Sequence, residues 1–452
     1  MQLRLYPEDA GFSPEMYIFR SSRLGKMHSL IPFKKICDHF RPFRSKFPQG
    51  VKPWLSLEGG LGLMFLKSYA GCCSDSDLVE RLNSDYQFQL FCGIRLPIGQ
   101  KISDDDLPGR WRRFFAERLD ISNLQDMFAD AWKGVMKDTH VLLDDATCYE
   151  SEVRYPTDVK LLQECCGWLH RELFRLRSEL GLGKLRDDKY TGALRRYKKY
   201  SRMRRKNRKK GKRLRVSLLY WLKKWEGSIQ KLLDRYPEVH SGLGQEFYNR
   251  LKIIRIVYSQ QLYMHENNVR RVPHRIISLA KPYLRPIVRG KEKKRVEFGA
   301  KVNISQTDGI NFMEHLSFDA FHEGNRMWRS IARHRRRFGK CSQYGADKIY
   351  ATNANRRKAK KLKVQTSFIP KGRKAKDERQ RKKMRDALSK ERATRLEGSF
   401  GTEKTRYLGN KRVRARKLET EKVWIFFAIH TANLVRLANR LMPKSKKYKN
   451  SS

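Results

Sequence analysis

Asp145, Asp347 and Glu397 are the acids whose types and positions suit phosphodiester chemistry. In-line displacement at phosphorus calls for carboxylates that hold two hard divalent cations roughly 3.5–4 Å apart. One ion activates the attacking oxygen and the other stabilises the leaving oxygen. Asp145 closes the run His140-Val141-Leu142-Leu143-Asp144-Asp145, a short apolar stretch that predicts a buried strand whose C-terminal end reaches a polar site. Asp347 closes a second short strand, ending at Ala346-Asp347. Glu397 lies on a predicted helix, Asp377 to Phe400, whose Met384, Leu388, Leu396 and Phe400 form a stripe, so it borders the buried side. Two strand-end aspartates and one helix-borne glutamate converge if the strands are neighbours. The chain has 47 acids, however, and most acids in so basic a protein pair with surface Lys or Arg.

The elements that must position these acids follow from patterning. Arg295 to Ser305 alternates Val296, Phe298, Ala300, Val302 and Ile304 with polar or small residues, Thr307-Asp308-Gly309 marks a turn, and Ile310, Phe312 and Leu316 resume the alternation. This is a β-hairpin. A helix over about 319–336 follows, then the strand ending at Asp347, with Asn353 and Asn355 beyond it. Another strand is read over 362–369, then the Glu397 helix, and a last apolar helix over 419–441. The order is a three-stranded start followed by alternating α/β, interrupted between Asp158 and about residue 290 by a basic helical stretch. Upstream, residues 1 to about 130 read as helical. Pro53 to Tyr69 is broken at Gly59-Gly60, Ser74 to Asp77 supply capping residues, and Pro108 to Leu119 is a basic amphipathic helix. That last helix suits either DNA or an ordinary solvated face.

The charge narrows the partner. Lys and Arg number 100 against 47 acids, a formal charge of +53. A surface so positive points to nucleic acid. The stretch Arg195 to Arg215, with Tyr197 and Tyr200 interleaved, repels itself and predicts a block that stays mobile until it meets phosphates, with Arg202, Arg204 and Arg205 as contacts. The N-terminal residues lack the apolar core of a signal peptide, and the run Val423 to Val435 is too short to span a bilayer. The eight cysteines contain no C-x-x-C pair, which argues against zinc and disulfide frameworks and for reduced thiols in a cytosolic protein.

The residues around the acids carry a resemblance. Asp145-Ala146-Thr147 with Arg154-Tyr155-Pro156-Thr157-Asp158, and Arg285 to Lys291 running into Glu297 to Lys301, resemble DDE-type transposases of bacterial insertion sequences. Ala346 to Tyr350 with Asn355-Arg356 resembles that family's second-aspartate motif, and Glu397 to Gly401 with Lys404 its glutamate motif. Ser68 to Gly71, Leu78 to Leu82 and Leu90 to Ile94 resemble its N-terminal helical region. The resemblance runs from about residue 50 to 435. It implies an α/β fold with an RNase H-like mixed sheet flanked by helices, interrupted by the basic helical insertion, and an N-terminal all-helical domain.

It further implies that Asp145, Asp347 and Glu397 bind Mg²⁺ or Mn²⁺, as two ions, and that Lys404 contacts DNA; Arg285, Arg289 and Lys291 suit either a DNA clamp near the hairpin or a solvated loop. Three departures stand out. Asp144 precedes Asp145, though the following Ala-Thr favours Asp145. The family often has an arginine one helical turn before the glutamate, where Ala393 stands here; Arg392 lies five residues before Glu397, and Arg395 is the weaker alternative. The interval between Asp145 and Asp347 is long. Asp158 is read as a turn or helix cap, and His315 and His322 as structural.

The expected layout is an N-terminal helical domain at 1–130 for DNA-end recognition or dimerisation and a first piece of the catalytic core at 131–158. The insertion follows at 159–290, the rest of the core at 291–441 and a disordered basic tail at 442–452. The expected activity is cleavage at inverted-repeat element ends and strand transfer into target DNA. The expected protein is a homodimer or larger synaptic complex that is cytoplasmic and nucleoid-associated in a bacterium, with no membrane association. The alternatives are a non-catalytic basic nucleic-acid-binding protein derived from a transposase, and a structure-specific RNase H-like nuclease.

Overall fold

The structure, a computed structural model, describes residues 13–43, 53–183, 185–288, 296–372, 376–409 and 412–443. It has two compact units: Met1–Glu152 with Ala300–Ser317 and Phe321–Ser452, and Val153–Gly299 with Phe318–Ala320. The described strands, in chain order, are β1 (Val141–Ser151), β2 (Pro286–Val288), β3 (Val296–Thr307), β4 (Ile310–Ser317), β5 (Gln343–Ala346), β6 (Gln365–Thr366) and β7 (Arg412–Val413).

In the first unit the strand order is β4-β3-β1-β5-β6, with β7 beside the far end of β1. β3 and β4 form the antiparallel hairpin, and β1, β5 and β6 run parallel. Asp308 and Gly309 both have positive φ, 49° and 78°, as a tight Asp-Gly hairpin turn requires. Asp308 is held there by Arg440, whose Nη1 donates to its carboxylate at 2.6 Å. Helices cover both faces. Leu142 packs with Met327, Ile331, Tyr344 and Tyr350 on one face. On the other, a Cβ placed on Gly345 would meet Leu143 at 2.7 Å and Leu388 at 3.4 Å, so the helix carrying Leu388 lies close over β5.

The N-terminal helices of this unit share a core with its last helix, Leu418–Leu441, which is buried on nearly every side over 423–438. The Phe65 and Phe427 rings meet edge to face at 4.9 Å, and Phe128 lies 5.3 Å from His430. The helix Leu57–Tyr69 runs through Gly59 and Gly60 without the expected break. The glycines serve close approach instead: a Cβ on Gly60 would sit 2.2 Å from the Trp111 ring. Ser74 to Asp77 supply capping residues as expected, and Ser74 and Asp77 form a reciprocal cap of the next helix.

The second unit is built on the helices Asp158–Glu179, Asp188–Arg202, Arg208–Arg235 and Gln245–Glu266. Leu162, Cys165, Cys166, Leu169, Trp221 and Trp225 belong to their buried core. Pro286–Val288 pairs antiparallel with 296–298. The basic block forms the end of one helix, a short bend and the start of the next. Lys206 ties that bend by donating to the carbonyls of Tyr200, Ser201 and Met203.

Several predicted boundaries move. The helix expected over 319–336 is a 3₁₀ turn, Glu323–Asn325, followed by Met327–Phe338, and the strand expected over 362–369 shrinks to Gln365–Thr366. No described helix is long and apolar enough to cross a membrane.

Candidate active site

β1 does not end at its acids; it continues six residues past Asp145 to Ser151. Because side chains alternate along a strand, the adjacent aspartates point to opposite faces. Asp144 is fully buried, where it accepts from the Asn303 amide and from Tyr344 Oη at 3.0 Å. Burial holds its carboxyl well above the usual carboxylate range. Asp145 points to the other face, where Arg392 Nη1 donates to its Oδ2 at 2.7 Å.

The parallel register pairs Asp144 with Ala346, the last residue of β5. One step further, Asp145 continues along β1 while Asp347 leaves the end of β5 to open the next turn. Asp347 is exposed and caps a 3₁₀ turn, accepting from the Lys348 amide at 2.6 Å. Glu397 is 49% exposed in its side chain, more open than the stripe suggested, and accepts from the same Arg392 Nη1 at 2.8 Å.

The predicted continuous helix over 377–400 is interrupted. Glu378–Glu391 is α-helical, Arg392–Leu396 forms a π-turn, Glu397–Thr402 returns to α, and Glu403–Tyr407 is a second π-turn. A π-turn bonds residue i to i+5, so two residues five apart share a face. That is why Arg392 reaches Glu397, and why α-helical spacing alone pointed to the wrong position. Arg395 turns away toward Asp308 and Glu391.

The electrostatics tie the three acids to one cation. Burial pushes the Asp145 carboxyl up to about 6, with Arg392 pulling it down and Glu323 and Glu397 pushing it further up. Burial works against the Arg392 charge, but Asp145, Glu397 and Asp347 together outweigh it and keep the guanidinium protonated. Glu323, a residue that the sequence pattern did not single out, is held by Lys301 at 2.7 Å.

Below Asp145 the same face of β1 carries Thr147, Tyr149 and Ser151, each met by the segment that follows Arg392. Lys404 Nζ donates to Thr147 Oγ1 at 2.5 Å and lies 5.2 Å from the Tyr149 ring centre. Tyr149 Oη donates to Glu403, and Ser151 Oγ to Glu421. Glu403 also accepts from the Asn311 amide. Burial raises its carboxyl to about 7, and the Tyr149 and Asn311 donors limit the rise. No sequence signal marked this buried glutamate, since its partners come from β1 and β4.

The DNA-binding candidates divide. Arg202, Arg204 and Arg205 are exposed in the second unit. Arg285 is half-buried and turned onto its own chain, donating to the carbonyls of Pro282 and Leu284. Arg289 and Lys291 lie outside the described residues, as does 444–452 of the tail. A cavity of about 510 Å³ in this unit is lined by Lys206, Arg208, Lys212, Arg215, Arg270 and Arg275, among others. Its acid, Asp158, follows the capping residue Thr157 and is bonded to Arg275 and Gln261. In the basic helix Leu107–Glu117, Arg112 forms a two-point pair with Asp75 and Arg113 one with Asp106, so both arginines are neutralised within the unit. His315 packs on Phe321 at 4.8 Å, and burial depresses its imidazole to about 4.

The donor set around Arg392 has the chemistry of a hard divalent-cation site, all carboxylate oxygen. Among the described residues no three His, Cys, Asp or Glu side chains are grouped as metal ligands. The position between Asp145 and Glu397 is taken by the Arg392 guanidinium.

Comparison with curated proteins and with solved structures gives no match. A family model described as a transposase domain (DUF772) matches residues 13–113, a span that contains the Ser68 to Gly71, Leu78 to Leu82 and Leu90 to Ile94 blocks. The N-terminal helical region of this chain is therefore similar to a transposase domain.

Proposed function

We propose that the protein is a DNA transposase of the DDE type, which cleaves at the ends of its own element and joins them to target DNA. One observation carries the reading: Asp145 on β1, Asp347 directly after the neighbouring parallel strand β5, and Glu397 on a facing helix all act on one cation, Arg392, the first and last by hydrogen bonds and Asp347 by its charge. The transposase-domain match at 13–113 and the charge of +53 support it from outside the site. The antiparallel hairpin beside β1, followed by parallel strands, supports an RNase H-like core.

In this reading Asp145, Asp347 and Glu397 hold Mg²⁺ or Mn²⁺, which would supply charge neutralisation at the attacking and leaving oxygens. Asp144 plays no part in binding; it is a buried brace that fixes β1 against Asn303 and Tyr344. Lys404, anchored on Thr147 two residues along the Asp145 face, places a positive charge beside the acids for a phosphate of the cut strand. Arg202, Arg204, Arg205 and the basic cavity take backbone phosphates, which set position and carry no sequence information. Two element ends must be joined in one event, so the working form is a dimer or larger synapse.

The test is cleavage of a duplex carrying the element's own ends, with Mg²⁺ or Mn²⁺, by wild type and by Asp347→Ala. The reading requires 3′-hydroxyl ends from wild type and binding without cutting from the variant. Salt-sensitive binding with no cutting by wild type under either ion would instead leave a non-catalytic DNA-binding protein. Cutting of branched DNA without joining would indicate a nuclease.

A further inference from the structure

We infer that Arg392 is a resident counter-ion that competes with divalent metal for Asp145 and Glu397, so that the site is closed to metal until this side chain swings out. The inference rests on the metal-dependent reading above and adds a control to it.

The geometry is specific. A single nitrogen, Arg392 Nη1, donates to both carboxylates, at 2.7 Å to Asp145 Oδ2 and 2.8 Å to Glu397 Oε1. The two acids are therefore already gathered around one cationic centre, and an ion binding both must take its place. The two pairs are unequal. Asp145 is 14% exposed and Glu397 49%, so solvent screens the second pair and the first provides most of the hold.

The backbone provides the means of release. Arg392 and Glu397 face the same way only because the turn between them is a π-turn. In regular α-helix, five residues advance about 140° beyond a full turn, which would carry Arg392 off the Glu397 face. π-turns are rare single-turn features inside α-helices. Conversion of 392–396 to α-geometry therefore separates Arg392 from Glu397 and breaks the shared contact. Neither Arg395, bonded elsewhere, nor Lys404, anchored on Thr147, can replace it.

Mn²⁺ binding to the full-length protein, followed by the loss of the free-ion electron paramagnetic resonance signal, tests this without any turnover. Arg392→Ala and the size-conserving Arg392→Gln should each bind Mn²⁺ roughly tenfold tighter than wild type, the equivalent of about one charge-assisted hydrogen bond that the ion no longer has to displace. Arg392→Lys, which keeps the charge, should stay near wild type, and adding Asp145→Asn to Arg392→Gln should abolish the gain. Equal affinities for wild type, Arg392→Ala and Arg392→Gln, with binding still lost in Asp145→Asn, would overturn the gating role and leave the metal site standing. A gain in Arg392→Lys as large as in Arg392→Gln would also overturn it. Absence of Asp145-dependent Mn²⁺ binding in every variant would overturn the metal reading and the gate together.

Discussion

Asp145→Asn should make the protein more stable, and increasingly so as pH rises. The carboxyl goes from its ordinary 3.8 to about 6 on folding, chiefly through burial. Between those values the folded chain binds more protons than the unfolded one, so wild-type stability falls as pH climbs through that window and is flat above it. At 1.36 kcal/mol per pKa unit the full penalty is about 3 kcal/mol, and the side chain is buried enough for solvent not to erase it. Asparagine keeps the shape and an acceptor for Arg392 without the charge. Thermal unfolding of both proteins should show the variant ahead by about 1.5 kcal/mol near about pH 5 and about 3 kcal/mol near about pH 7.5. A variant no more stable than wild type at the higher pH, or a gap independent of pH, would refute the account of a carboxylate desolvated for function. The same variant should bind DNA and fail to cut it.

Three further outcomes can be checked. Tyr149→Phe removes a donor from the buried Glu403 and should cost about 1–3 kcal/mol near about pH 8, where that acid is charged, and less near about pH 5, where it is protonated; thermal unfolding at the two pH values decides it. Gly60→Ala forces a methyl group into the Trp111 ring and should cost about 1–3 kcal/mol, seen as a lower melting temperature with no change in the DNA affinity of the exposed arginines. Arg204→Glu with Arg205→Glu should weaken binding to any duplex alike, and should flatten the logarithmic salt dependence by about 1 for each phosphate no longer neutralised.

What the sequence could and could not convey follows from the range of the forces involved. The hairpin was legible because period-two alternation and an Asp-Gly turn are local signals, and the last helix because its apolar run leaves it no exposed side. The end of β1 was misplaced because the polar residues after Asp145 looked like strand-end chemistry. Thr147, Tyr149 and Ser151 are instead each satisfied by partners more than 250 residues away in sequence. The π-turn was invisible to a 3.6-residue period, which set Arg392 off the Glu397 face. Glu323 and Glu403 acquire meaning only from the field around them, which is a property of the folded unit. Gly59-Gly60 read as a break because glycine lowers helix propensity, whereas tertiary packing against Trp111 more than offsets that cost.

The shared core of the first unit has a consequence for biosynthesis. The helix Leu57–Tyr69 must wait for roughly 350 further residues before Leu418–Leu441 exists to cover it, on the order of half a minute at ordinary ribosome speeds. Through that interval Phe65 has Phe128 beside it but lacks Phe427, while the helices of the second unit have already been made in full. A nascent chain in this state is a natural client for a holding chaperone, and an early stop codon leaves an unfinished core with apolar surface exposed.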